Sequence, residues 1–198
     1  VLASVEACSV LIANKIAISR ANVEHIQNAD QPFATIVLDK VQKIAITSSN
    51  VTNSTGPVFA FKRFNVLFLQ NNLFIGIVTT MYSAINVFSQ LYIDFKVSVK
   101  QNKFISCHSE NAGGVFTIRP ASNIRNYINI SDKVNTKINK ARATNTTNIN
   151  IIFTNNVLRN CQTQLNGGVL QFNFVSNSNS MSNISIETCL FSNNSARK

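Results

Sequence analysis

Apolar and polar positions alternate in short stretches along this chain, and one eight-residue pattern of them recurs six times. It consists of an apolar residue, any residue, an apolar residue, two free positions, a small or polar residue that we call the anchor, one free position and a final apolar residue. Alternation with a period of two is typical of β-strands, and the break at the anchor indicates a turn of the chain. The six matches are Ile16, Ile18, Ala21 and Val23; Ile44, Ile46, Ser49 and Val51; Leu67, Leu69, Asn72 and Phe74; Val97, Val99, Asn102 and Phe104; Ile151, Phe153, Asn156 and Leu158; and Ile184, Ile186, Cys189 and Phe191.

A second strand signal lies between successive matches. The segments GPVFAF, SAINVF, GGVFTI and GGVLQF each place small residues before an alternating apolar pair, such as Phe59 and Phe61. Two of these segments belong to nearly the same phrase, NAGGVFTI at 111–118 and NGGVLQF at 166–172. A pair of glycines allows a tight corner, so each repeat is predicted to contain at least two strands joined by turns.

The spacing of the anchors predicts the fold. Anchors at positions 21, 49, 72, 102, 156 and 189 are separated by 28, 23, 30, 54 and 33 residues, and four of these five intervals fit the period of solenoid proteins. Because the repeats show strand alternation and no helical periodicity, the sequence predicts an all-β chain that forms a parallel β-helix. We expect about six coils, stacked about 4.8 Å apart.

Length and composition favour a single domain, residues 1–198. The chain has 198 residues of which 45% are hydrophobic, which is enough to bury a core. It begins without Met or a recognisable signal segment, and it ends at FSNNSARK, where the repeat is half complete. We therefore expect a fragment of a larger protein.

The longest interval contains a polar stretch without sustained alternation, residues 119–148, which predicts a loop inserted at one corner of the coil. This loop carries about half of the net charge of +10, because it contains six basic residues and a single acidic residue, Asp132. The loop is either a contact surface for an acidic polysaccharide, a lipid head group or another protein, or a solvated insertion. Nucleic acid is not expected as a partner, since Tyr127 is the only aromatic residue there. The basic residues are Arg119, Arg125, Lys133, Lys137, Lys140 and Arg142.

The phrases NKFISCHSENAGGVFTI, NNVLRNCQTQLNGGVLQF and CLFSNNSA resemble the repeats of right-handed parallel β-helix surface proteins. In the chlamydial polymorphic outer membrane proteins and related protist proteins, a phrase of the type F-x-N-N-x-A is followed by G-G-A-I. The first half is matched by Phe191, Asn193, Asn194 and Ala196, and the second by Gly113, Gly114 and Val115 and by Gly167, Gly168 and Val169. The resemblance implies a right-handed β-helix of the pectin-lyase-like kind in a large extracellular protein with structural or adhesive work.

Catalysis is not expected from this sequence. Polysaccharide lyases and hydrolases with a β-helix fold place several carboxylates on one face of the coil. The chain has eight carboxylates, with no Asp-Asp pair and no Asn-Thr-Asp triplet. They are Glu6, Glu24, Asp30, Asp39, Asp94, Glu110, Asp132 and Glu187. A carbohydrate-active or carbohydrate-binding protein, with its active coils elsewhere, is the alternative function.

No cofactor or metal is expected either. The four cysteines show no C-x-x-C spacing, and His25 and His108 lie far from a second ligand in sequence. Cys107 and Cys161 occupy equivalent places, five positions beyond their anchors, which puts them on adjacent coils. They form either a disulfide or a stack of free thiols.

Six Asn-x-Ser/Thr sequons are candidate glycosylation sites if the protein is secreted. They begin at Asn50, Asn53, Asn129, Asn145, Asn183 and Asn193, and three of them lie beside the apolar positions of the repeat and are predicted to point outwards.

The uncharged segment between Arg63 and Asp94 is long enough to span a bilayer, but its apolar positions follow the repeat, so no membrane span is expected. The sequence thus predicts an extracellular or cell-surface spacer, adhesin or filament building block, with further coils of the same chain or other protein subunits as partners and acidic glycans as candidate ligands.

Overall fold

The computed structural model of the protein describes residues 8–24, 34–80, 82–89, 94–110, 115–120, 147–164, 169–173 and 180–196. These ranges contain twenty β-strands and no helix. The prediction of an all-β chain is confirmed. The strands are β1 (Cys8–Ser19), β2 (Asn22–Glu24), β3 (Ile36–Thr47), β4 (Asn50–Thr52), β5 (Phe59–Lys62), β6 (Val66–Gln70), β7 (Leu73–Ile75), β8 (Val78–Thr79), β9 (Ile85–Ser89), β10 (Phe95–Lys100), β11 (Lys103–Ile105), β12 (His108–Ser109), β13 (Phe116–Pro120), β14 (Thr147–Thr154), β15 (Val157–Arg159), β16 (Gln162–Thr163), β17 (Leu170–Phe172), β18 (Ser180–Glu187), β19 (Leu190–Ser192) and β20 (Ser195–Ala196).

The strands form three sheets, and the pairings between them are parallel, as predicted. The long sheet has ten strands in the order β17-β13-β9-β5-β3-β6-β10-β14-β18, with β1 paired to β3 outside this order. The middle sheet has the order β19-β15-β11-β7-β4-β2, and the short sheet has the order β20-β16-β12-β8.

The third to sixth repeats each visit the three sheets in the same order. In the third repeat, β5 and β6 lie in the long sheet, β7 in the middle sheet and β8 in the short sheet, after which β9 returns to the long sheet. In the first two repeats, the single strands β1 and β3 replace the two separate strands that later repeats contribute to the long sheet. Among the described residues, the first two repeats contribute no strand to the short sheet, where an isolated bridge from Thr55 to Val78 joins the second repeat to the third.

The register of the sheets aligns the six matches of the sequence pattern with one another. Leu67 pairs with Ile44 on one side and with Val97 on the other, and Phe74 pairs with Val51 and Phe104. Equivalent apolar side chains are therefore stacked from repeat to repeat, and the spacing in sequence reflects this stacking.

The core consists of these stacked columns. Along β10, burial alternates, so that Phe95, Val97 and Val99 point inwards while Lys96 and Lys100 are exposed. The rings of Phe74 and Phe104 stack with centroids 4.8 Å apart. Each such fully buried side chain contributes roughly 1.5–3 kcal/mol by leaving water, so the columns are the main source of stability.

The corners between sheets depend on single residues in the left-handed region of backbone conformation. One such residue, with φ between 50 and 57°, stands directly before each anchor, and another stands before the position five residues further along. L-residues rarely adopt this conformation, so the corner geometry imposes it on residues of several types. The first set is Arg20, Ser48, Asn71, Gln101, Asn155 and Thr188, and the second is Asn53, Gly76, Ser106, Asn160 and Asn193.

The structure changes the boundaries of the predicted loop at 119–148. Residues 116–120 form β13 and residues 147–154 form β14, so only 121–146 separates these strands. Both strands belong to the long sheet, but they lie in different halves of its order, on either side of β3, and the insertion joins these two halves. Residues 121–146 and both Gly-Gly pairs, at 113–114 and 167–168, lie outside the described residues.

Candidate functional site

Three of the anchors, Asn72, Asn102 and Asn156, form a column of buried amides. Asn102 accepts hydrogen bonds through Oδ1 from the backbone N of Asn72 at 3.0 Å, and it donates through Nδ2 to the carbonyl of Leu69 at 2.9 Å. Its own backbone N donates to Oδ1 of Asn156 at 2.9 Å. Ser49, Asn72 and Asn156 are linked in the same way. These amides saturate one another, which gives them a structural role and leaves little capacity for a ligand.

The second buried column contains the cysteines. The side chains of Cys107, Cys161 and Asn194 each contact a carbonyl of the preceding repeat, that of Phe74, Phe104 and Leu158 respectively. The backbone N of Gln162 donates to the carbonyl of Cys107 at 2.9 Å, so Cys107 and Cys161 lie on adjacent repeats as predicted.

Both thiols are free in this structure and fully buried. A hydrogen bond between the two thiols, together with burial, raises the pKa of Cys107 well above its usual range. A buried thiol with a raised pKa is a poor nucleophile. Adjacent parallel strands are about 4.8 Å apart, which lies within the range of Cα distances that a disulfide can bridge. A disulfide between Cys107 and Cys161 in the native protein stays a prediction.

An ion pair lies on the outer side of the long sheet. Arg63 donates through Nε to Oδ1 of Asp39 at 2.6 Å, and its second nitrogen contacts Oδ2. The Asp39 side chain is 5% exposed and that of Arg63 46%. Burial lowers the pKa of the neighbouring Lys62, whose ammonium group lies over the ring of Phe88 at 5.6 Å. The arrangement neutralises the buried carboxylate of Asp39, so a role in acid-base chemistry is not indicated.

Arg119 lies in this same area and not in the loop, where the sequence pattern predicts it. Its guanidinium group lies 4.6 Å from the centroid of the Tyr82 ring and 5.5 Å from that of Phe88, and it donates to Oδ1 of Asn86 at 2.8 Å. Burial lowers its pKa, but a guanidinium group remains charged at neutral pH. This side chain is packed into the outer face of the long sheet, and packing of this kind is a stabilising contact.

The other five residues of the predicted basic loop lie outside the described residues. They are Arg125, Lys133, Lys137, Lys140 and Arg142.

A different set of cations does share one surface, which we call the basic face. It consists of Lys43, Lys96, Lys100, Lys103 and Arg159, all with exposed side chains on the outer side of the long and middle sheets. Sequence reasoning missed this surface, although the alternation that puts Val97 and Val99 inside also puts Lys96 and Lys100 outside.

The sixth repeat exposes apolar residues that are buried in the inner repeats. Ile184 and Ile186 of β18 are 40% and 46% exposed, and Phe191 of β19 is 45% exposed. The equivalent residues Val97, Val99 and Phe104 in the fourth repeat are fully buried. We call this surface the terminal edge, because β18, β19 and β20 end the order of the three sheets among the described strands.

Four of the six sequons are accessible. Asn50, Asn53, Asn183 and Asn193 have exposed side chains, while Asn129 and Asn145 lie outside the described residues. Glycosylation itself stays a prediction.

No group of three or more His, Cys, Asp and Glu side chains that could hold a metal ion occurs in the described part of the chain. Its described residues also include no helix of sufficient length and hydrophobicity to cross a membrane. Comparisons with protein-family models, with curated proteins and with solved structures found no match.

Proposed function

We propose that the chain is a right-handed parallel β-helix that serves as a stiff, non-catalytic spacer or adhesive element of an extracellular or cell-surface protein. The observation that carries the proposal is the common register of six repeats in the long and middle sheets, of which the last four also pair in the short sheet. Resemblance of the GGV and FSNNSA phrases to β-helix surface proteins supports the handedness and the location.

Stiffness follows from the way the repeats are joined. The third to sixth repeats are hydrogen-bonded to one another through the backbone in all three sheets, and the third to fifth are also joined through the anchor amides, from Asn72 to Asn102 and from Asn102 to Asn156. Bending such a stack would strain several hydrogen bonds at once. In quasi-one-dimensional proteins of this kind, length is set by the number of repeats, which suits a spacer.

Partners are expected at the terminal edge. A further coil of the same chain or another protein subunit could pair with β18 and β19 and cover Ile186 and Phe191 as the inner repeats cover each other. The pairing segment would need apolar residues at the positions equivalent to Ile186 and Phe191 and strands parallel to β18 and β19.

Duplication of one repeat tests the spacer function. Three extra copies of residues 85–115, inserted between Val115 and Phe116, keep the register, because Ile85 and Phe116 are equivalent and paired. We expect small-angle X-ray scattering to show a maximum dimension that grows by about 5 Å per copy with an unchanged cross-section. A thicker cross-section at constant length would contradict a stacked spacer. The same copies inserted after Asn173 interrupt a repeat and serve as the control.

Glycopeptide mass spectrometry of the native protein tests its location. We expect glycan at one or more of the exposed sites Asn50, Asn53, Asn183 and Asn193. Unmodified asparagine at all four, from a source able to glycosylate, would count against an extracellular assignment and leave the fold untouched.

A further inference from the structure

The basic face combines cations with a half-buried apolar strip. Three neighbouring columns run across the outer side of the long sheet. Lys43 and Lys96 lie in the first column, with Val66 between them, and Lys100 lies in the third beside Gln70. The middle column contains Ala45, Phe68, Ser98 and Ile152, all partly exposed. Cationic groups therefore flank an apolar strip.

The basic face continues around the corner onto the middle sheet. Lys103 begins β11, and Arg159, on the next repeat, pairs with Ile105 of the same strand. From standard strand dimensions, Lys96 and Lys100 are about 13 Å apart along β10, and Lys43 is about 10 Å from Lys96 across two strand spacings. The backbones of the sheets fix these separations.

Few carboxylates oppose these cations. Among the described residues on the outer side of β4, β6, β7, β11, β14 and β15 there is none. Asp94 precedes β10, and its Oδ1 accepts a hydrogen bond from the backbone N of Asn148 at 2.7 Å. Glu187 lies in β18 and its carboxylate contacts the Ser185 hydroxyl, while Glu24 ends β2 in the first repeat. The cations of the inner repeats thus create a positive potential over the face.

We propose that the basic face binds a linear acidic polysaccharide. The chain of such a ligand can cross the repeats over the apolar strip, with sugar rings packed on Phe68 and Ile152. Its carboxylate or sulfate groups would then meet Lys96, Lys100 and Lys103. Lys43, which lies 5.8 Å from the Phe68 ring centroid, borders the strip at the second repeat. Amide side chains such as Gln70 offer hydrogen bonds to hydroxyl groups.

Phe68 favours an acidic sugar chain over nucleic acid. Single-stranded nucleic acid is bound through several aromatic platforms that stack successive bases, whereas this strip contains one aromatic residue beside two aliphatic residues and a serine. The proposal deepens the adhesive part of the proposed function. It does not depend on the handedness of the fold, and a spacer needs no ligand, so its failure would leave the spacer function standing.

The test compares two variants with the same loss of charge. The variant K96Q/K100Q/K103Q removes three cations from the basic face, and K133Q/K137Q/K140Q removes three from the segment that the sequence predicts as a contact loop. Binding to polygalacturonate is measured by isothermal titration calorimetry at several salt concentrations, with neutral dextran as the negative control. Thermal unfolding verifies that both variants are folded.

We expect the first variant to lose about tenfold in affinity and to show a weaker salt dependence, because fewer charge contacts form, while the second variant stays within about twofold of the wild type. Absence of binding, equal losses in both variants, or loss in the loop variant alone would overturn the proposal. Single-stranded DNA bound as tightly as polygalacturonate, and lost in the first variant, would assign the face to nucleic acid instead.

Phe68→Thr tests the apolar strip without a change in charge. Threonine is compatible with a strand, and we expect a severalfold lower affinity with an unchanged salt dependence. Unchanged affinity would show that the strip makes no contact and would reduce the proposal to non-specific attraction, which overturns it.

Discussion

Asn102 shows at the level of one residue how the repeats are held together. Its amide group links three repeats, because it accepts a hydrogen bond from the backbone N of Asn72 and donates to the carbonyl of Leu69 and to Oδ1 of Asn156. A buried polar group is costly when unpaired and favourable when every atom has a partner. The anchor column therefore contributes stability only as a complete set.

Replacement of Asn102 by alanine tests this dependence. Asn102→Ala leaves the backbone N of Asn72 and the carbonyl of Leu69 without their partners, and we expect the free energy of unfolding to fall by about 3 kcal/mol. The measurement is urea unfolding followed by circular dichroism. Asn173→Ala, at an exposed position, is the control and should change stability by less than about 0.5 kcal/mol. Similar losses in both would show that the amide column is not specifically stabilising.

Two substitutions at left-handed backbone positions should change stability in opposite directions. Gly76 has φ of 62°, and an added Cβ would lie 3.0 Å from Oδ1 of Asn53, so Gly76→Ala should lower the free energy of unfolding by about 1 kcal/mol. Gln101 has φ of 57°, so Gln101→Gly relieves the strain and should raise it by about 0.5 kcal/mol after the entropy cost of glycine. The reverse signs would contradict the corner geometry.

The cysteines should differ in reactivity. Cys107 and Cys161 are fully buried, whereas Cys189 is partly exposed, so iodoacetamide should modify Cys189 more than about tenfold faster in the folded protein. Mass spectrometry of the labelled peptides gives the rates. Labelling of Cys107 and Cys161 after denaturation without reductant identifies free thiols, and its absence identifies a disulfide. Fast labelling of Cys107 in the folded state would contradict its burial.

At the level of elements, the sequence predicts the strands that carry the eight-residue pattern and their register. Stacking demands apolar residues at equivalent positions, as at Leu67 and Val97, so periodicity alone finds them. It does not identify the corner residues, because Arg20, Gln101 and Thr188 are not types that favour the left-handed region. A motif search does not find the basic face either, because its residues come from four separate strands that only the register of the sheets brings together.

Arg119 illustrates a further limit. In the sequence it stands before Pro120 in a polar stretch, which suggests a loop, yet it pairs with Phe88 in the long sheet and packs on aromatic rings. Contacts made by the outer side of a strand leave no periodic signal, because any residue type can be accommodated there.

The insertion between β13 and β14 should be dispensable for folding. Replacement of residues 121–146 by Gly-Ser-Gly leaves eight steps from Arg119 to Asn150, the same number as from Phe88 to Lys96 in the preceding repeat. We expect a folded protein whose free energy of unfolding is higher by about 1–2 kcal/mol, because a shorter loop costs less entropy to close. Chemical denaturation measures this value. Loss of the cooperative transition would mean that the segment contributes essential contacts.

At the level of the whole molecule, protection should vary along the stack. Inner repeats are covered on two sides, whereas the sixth repeat exposes Ile186 and Phe191 at the terminal edge. Local opening costs less where fewer apolar contacts must break. Hydrogen exchange followed by mass spectrometry should therefore find amides of β10 and β11 exchanging at least tenfold more slowly than those of β18 and β19, roughly a difference of 1.4 kcal/mol. Uniform protection would indicate that all repeats open together.

The position between the two halves of the long sheet absorbs most of the variation in repeat length. From Lys62 to Val66 there are four steps, from Phe88 to Lys96 eight, and from Arg119 to Asn150 thirty-one, while the step from the long to the middle sheet is the same in every repeat. A chain built in this way confines variation in length to one site and keeps the register of the sheets constant. Foreign epitopes, enzymes or binding peptides inserted at that site would be displayed without a change in the pairing of the strands.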